Sequence, residues 1–165
     1  MSRIAETATV NLALADFAST DVSGKTHIIG QGVAVTGWNP DMGVTTRFAL
    51  LIHIRLPIEF SGAEFPLEIA LLDEAGELAL VPGPSGMQPL RVAQVVQGVA
   101  DITRLGQKVA DHTGVHISVI FDLATGAPLV LNGLYTWRVQ LDGDEDRRWL
   151  YHFAVTGPPP GPVFG

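Results

Sequence analysis

Between Leu134 and Val155 two alternating stretches flank a strongly polar turn, and this pattern restricts the fold more than any other part of the chain. Tyr135, Trp137, Val139 and Leu141 share one side of a period-two repeat, with Thr136, Arg138 and Gln140 on the other. Trp149, Tyr151, Phe153 and Val155 then alternate with Arg148, Leu150, His152 and Ala154. The run Asp142-Gly143-Asp144-Glu145-Asp146 suits a turn, because Gly reaches positive φ cheaply and Asp can bond its own backbone. The pattern predicts an antiparallel hairpin with an aromatic face. A lone hairpin is marginal in water, so the rest of the chain must cover that face. The expected fold is all-β, an antiparallel β-sandwich of about seven to nine strands.

Other segments read the same way. Val10, Leu12 and Leu14 alternate with small or polar neighbours, and a strand from Thr26 is interrupted by Gly30 and Gly32, which marks an edge or a sheet-switching corner before Trp38. In Arg47 to Leu56, Phe48, Leu50, Ile52, Ile54 and Leu56 face the core. The opposite side, with Leu51 and His53, is only partly polar and calls for cover by a loop or a neighbouring subunit. Phe65, Leu67, Ile69 and Leu71 form another face, on a strand whose Pro66 favours a beginning or an edge. The expected core also includes Ile117, Val119, Phe121, Trp137, Val139, Trp149, Tyr151 and Phe153. Pro82 to Pro89 reads as a loop, and the spacing of Val99, Ile102, Leu105 and Val109 predicts a short helix near Asp101 to Asp111. Residues 1–156 are expected to form one sandwich domain, and Gly157 to Gly165 a Pro/Gly-rich tail whose prolines favour polyproline II.

Composition excludes several classes of function. The chain has no Cys, which removes disulfides, thiolate metal sites and cysteine nucleophiles together. A formal charge of -7 with only 10 Lys and Arg disfavours nucleic acid as a partner. The N-terminus lacks a secretory pattern and the apolar runs are strand-sized, so the expectation is no membrane and a cytoplasmic product, free or built into a particle assembled there.

Chemistry-bearing patterns fail at identifiable positions. Ser85 lacks the final Gly and the strand-to-helix setting of a nucleophile elbow. His112 and His116 have a helical ligand spacing, but Gly114 separates them and no Glu stands between them in the zinc-protease position. Asp142, Asp144 and Asp146 open like a calcium loop, yet Arg147 stands where the sharp turn needs Gly and Phe153 where the bidentate Glu belongs. Glu64 with Glu68, and Asp73 with Glu77, border turns rather than a cleft. No catalytic residue, metal ligand or cofactor is assigned.

The segments Leu12-Ala13-Leu14-Ala15-Asp16-Phe17-Ala18 and Gly24-Lys25-Thr26-His27-Ile28-Ile29-Gly30 resemble the opening of a family of uncharacterised bacterial β-sandwich domains. Leu67 to Gly76, His116 to Leu123, and Gly133 to Val139 before Asp142-Gly143 are similar to later parts of the same pattern. Val99 to Gly114 and the tail depart from it. The resemblance implies a sandwich and supplies no catalytic residues. The expected function is therefore a non-enzymatic structural or interaction subunit of a larger assembly, for instance a bacteriophage head-decoration or minor tail protein. Its partner is protein, by self-association or by docking on a repeated lattice. Candidate interface residues are Leu51, His53, Pro158, Pro159, Pro160, Val163 and Phe164. The alternative is a cytoplasmic module that binds a small ligand or polysaccharide.

Overall fold

The computed structural model describes residues 2–144 and 149–157. A short helix α1 (Arg3–Thr7) opens the chain, capped by the Ser2 hydroxyl, which accepts the Ala5 N–H at 3.1 Å. Five strands follow: β1 (Thr9–Ala15), β2 (Phe17–Thr20), β3 (Thr26–Ile29), β4 (Val35–Asn39) and β5 (Val44–Thr45). The middle of the chain holds β6 (Phe48–Leu56), β7 (Glu64–Leu72), β8 (Leu80–Gly83), β9 (Gly86–Pro89) and β10 (Arg91–Gln97). Two short helices, α2 (Ile102–Leu105) and α3 (Gln107–Thr113), precede β11 (Val115–Leu123), β12 (Leu134–Leu141) and β13 (Trp149–Thr156).

The fold is an all-β sandwich. A three-stranded sheet in the order β1-β6-β11 faces a six-stranded sheet in the order β10-β7-β12-β13-β4-β5, with two-stranded ribbons β2-β3 and β8-β9 attached. The alternation dictates which residues meet. Leu14, Leu50, Ile52, Ile54 and Val115 from the smaller sheet bury against Leu67, Ile69, Trp137, Val139 and Val155 from the larger. Each large apolar side chain removed from water in this layer contributes about 1.5–3 kcal/mol. The final hairpin has the expected register, Tyr135 opposite Phe153 and Trp137 opposite Tyr151. Phe48, Ile117 and Phe153 are buried with this core, while Val119, Phe121, Trp149 and Tyr151 pack against it only partly buried.

Three details differ from the sequence reading. The pairing is antiparallel except between β13 and β4, which run parallel. Gly30 and Gly32, at φ 68° and 93°, turn the chain out of the β2-β3 ribbon, and it enters the larger sheet as a separate strand without a hairpin to set its direction. The helix expected over Asp101 to Asp111 is two helices broken at Gly106, where φ is 78°. Its buried residue is Ala110, whereas Val99, Ile102 and Val109 are exposed. The Pro82–Pro89 loop is largely ribbon: Pro82 pairs with Met87 and Gly83 with Gly86. Proline is tolerated there because the ribbon stands outside the two main sheets.

Candidate interaction surface

The outward side of β6 is covered by the chain's own β2-β3 ribbon. Leu51, at 1% exposure, packs with Ala15, Ala18, Ala49, Ile28 and Ile120 in a second, smaller core. Leu51 is thus interior and not part of a free interface, because a loop-like ribbon supplies the cover that its apolar side chain demands. The ribbon's tip is organised by Asp21, whose carboxylate accepts from the Ser23 hydroxyl at 2.7 Å and the Lys25 N–H at 3.0 Å, and pairs with the His27 ring at 2.9 Å. These partners hold the carboxyl well below the usual carboxylate range, with the Ser23 hydroxyl bond foremost.

Beyond that lid the same face continues as a shallow hollow of about 200 Å³ lined by Asn11, His53, Arg55, His116 and Ser118 among others. The His53 ring lies 3.0 Å from the Ser118 hydroxyl, but the lining includes no carboxylate to orient the imidazole. His112 and His116 serve local structure. Arg55 donates to the carbonyls of His112 and Thr113 at 3.0 and 3.1 Å, and the His116 ring meets the Thr113 carbonyl. Among the described residues no cluster of three or more metal-ligating side chains is present, and no helix is long and apolar enough to cross a membrane. Ser85 sits at the turn of the β8-β9 ribbon. Asp142 adopts φ 54° in the hairpin turn. Glu145, Asp146 and Arg147 lie outside the described residues, as do Pro158, Pro159, Pro160, Val163 and Phe164.

The outer face of the six-stranded sheet is the larger surface, and the sequence reading did not single it out. The outward side chains of Arg91, Ala93, Val95, Leu134, Leu150 and His152 on this face are exposed. At its middle, Glu68 of β7 bridges two cations, Arg91 of β10 at 2.7 Å through one carboxylate oxygen and Arg138 of β12 at 3.2 Å through the other. The two Arg side chains flank Ala70, their common cross-strand neighbour, which is fully buried. Around this polar centre Leu134, Leu150, Val35 and Val95 are exposed, between 44% and 68%. Where β12, β13 and β4 meet, a hollow of about 440 Å³ is lined by Ala34, Leu134, Thr136, His152 and Ala154, with Asp73 and Glu74 of a neighbouring turn at its edge. The His152 ring and the Thr136 hydroxyl are 2.8 Å apart in its wall. The available signal was the presence of Leu134 and Leu150 on the polar side of an otherwise clean alternation.

No family model and no curated protein matches the chain. Among solved structures it is similar to the seventh ScaB type I cohesin from Pseudobacteroides cellulosolvens, at 14% identity over 79% of this chain and 94% of that chain, with a TM-score of 0.30.

Proposed function

We propose that the chain is a non-enzymatic structural or interaction subunit of a larger protein assembly, with the six-stranded sheet as its contact layer. The observation that carries this reading is the set of exposed apolar side chains on the outer face, Leu134, Leu150, Val35 and Val95, around a tied Arg91–Glu68–Arg138 centre. Arg and aliphatic anchors on a preordered surface bind protein with little loss of side-chain freedom. In this reading residues 1–156 form the domain, and the segment from Gly157 to Gly165 adds a docking tail. A virion building block made in the cytoplasm, within the bacterial sandwich family that the strand motifs resemble, is a concrete version of the proposal. Light scattering across a concentration series tests it. The wild type should exceed its chain mass of 17.6 kDa, and the double variant Leu134→Lys/Leu150→Lys should fall back towards that mass while keeping its circular dichroism. Equal masses for the two proteins would overturn the role given to the face.

A second reading, a module that binds a small ligand or polysaccharide, draws on the hollow at Leu134, Thr136 and His152. It requires a concentration-dependent rise in melting temperature with a sugar or nucleotide panel. His152→Ala should abolish that rise.

A further inference from the structure

The two edges of the six-stranded sheet are finished differently. At one side β5 is two residues long, and Thr45 closes it: its N–H donates to the Ala127 carbonyl and its hydroxyl accepts the Ala127 N–H, both at 2.9 Å. At the other side β10 runs for seven residues, and among the described residues no backbone hydrogen bond reaches its outward side.

Which groups point outward follows from the neighbouring ladder. The Asp142 N–H donates to the Pro66 carbonyl, so Pro66, Glu68, Ala70 and Leu72 of β7 turn towards β12, and the alternate residues turn towards β10. The Leu71 N–H accordingly donates to the Leu90 carbonyl at 2.9 Å. Val92, Gln94 and Val96, opposite Ile69, Leu67 and Phe65, therefore bond inward. Arg91, Ala93, Val95 and Gln97 present their N–H and C=O groups to the outside. Natural edges are blunted by Lys, Pro, a bulge or a short strand. From Val92 to Gln97 there is no charge, no Pro and no Gly, and Ala93, Gln94, Val95 and Gln97 are all exposed.

We propose that β10 pairs with β10 of a second copy of this chain, antiparallel about a two-fold axis at Gln94, so that two six-stranded sheets become one. This rests on reading the chain as an assembling subunit and names one of its contacts. The strand is self-complementary in that register, the one that overlaps it fully. Ala93 meets Val95 and Arg91 meets Gln97 of the second copy as hydrogen-bonded pairs, which satisfies every outward backbone group on both strands. On the opposite face Val92 meets Val96, and Gln94 meets its own counterpart. No like charges come together: Arg91 meets the neutral Gln97 of the second copy, and the next residue across the sheet is that copy's Glu64, of opposite charge. Each copy uses its edge once, so the contact closes at two chains.

Cysteine trapping tests the register, because the chain has no Cys of its own. Gln94→Cys places two thiols in a non-hydrogen-bonded antiparallel pair, about 4.5 Å apart between Cα atoms and within disulfide reach. Oxidised glutathione should convert this variant to a covalent dimer with native circular dichroism, whereas Val95→Cys, out of register with itself, should stay uncrosslinked. Separately, Gln94→Lys, on the other face of the sheet from Leu134 and Leu150, sets two like charges against each other at the two-fold axis and should lower the mass in light scattering while its circular dichroism stays native. Trapping of both Cys variants alike, or a mass unchanged by Gln94→Lys, overturns the pairing. If the mass is unchanged in Gln94→Lys but falls in Leu134→Lys/Leu150→Lys, the assembly reading stands and only the edge contact fails. A wild type that is monomeric throughout overturns both.

Discussion

Trp137 stands edge-on to Phe121, their ring centroids 5.6 Å apart and their planes at 81°, so the aromatic face of the last hairpin locks onto the opposite sheet. The ring is fully buried, and its indole N–H has no hydrogen-bond partner among the described residues. Two effects therefore oppose one another at this position. Trp137→Ala removes the ring and should cost about 3–5 kcal/mol. Trp137→Phe also loses volume, but it deletes a donor whose burial without a partner costs about 1–3 kcal/mol. The Phe variant should therefore lie well above the Ala variant in a urea titration. Equal losses would mean that the N–H is satisfied, by water for example.

Side-chain alternation made the sandwich legible because burial on one sheet face imposes period two on every strand. It placed Phe48, Leu50, Ile52 and Ile54 inside, and the structure buries all four. Other features depend on partners distant in the chain, which periodicity does not encode. Val109 and Ala110 are adjacent, yet the small residue is the buried one. Pro66 sits on β7, an inner strand, and is tolerated because the β12 ladder ends at Leu67 opposite Leu141, leaving no strand to require its missing N–H. The same limit hid the contact surface. Arg91, Glu68 and Arg138 are far apart in sequence, and only the strand order brings them together.

Leu51 measures how firmly the β2-β3 ribbon holds. The ribbon is two-stranded, and such a unit needs a hydrophobic contact to persist in water. Leu51→Ala should cost about 2–5 kcal/mol. Hydrogen exchange should speed selectively at Ala18 and Ile28 while the β12 and β13 amides keep their rank order. Uniform acceleration would show that lid and main core unfold as one unit.

The tip of that ribbon should respond to acid. Because the folded-state pKa of Asp21 is depressed by Ser23, His27 and Lys25, its contribution is complete above the usual carboxylate range and is lost as pH falls through the folded value. Asp21→Asn should lower the melting temperature at neutral pH, and the gap from wild type should close in strong acid, where the native carboxyl is itself neutral. A gap independent of pH would assign the effect to geometry instead of charge.

Glu68 offers the corresponding test at the centre of the open face. Its two oxygens each serve one guanidinium, and its side chain is 18% exposed, against 52% for Arg91 and 19% for Arg138. Solvent therefore screens the Arg91 pair strongly and the Arg138 pair much less. Glu68→Gln keeps the shape but removes the charge and turns an N–H₂ group towards one of the Arg side chains. The expected loss is about 1 kcal/mol in urea titration at low salt, consistent with one exposed and one sheltered contact. High salt weakens only the charge term, so the difference between wild type and variant should shrink without vanishing. A difference that did not move with salt would show that Glu68 acts by packing over Ala70. The Arg91 and Arg138 side chains would then be free to pair with acidic groups on a partner, and charge reversal at those two positions would become the sharper probe of the face.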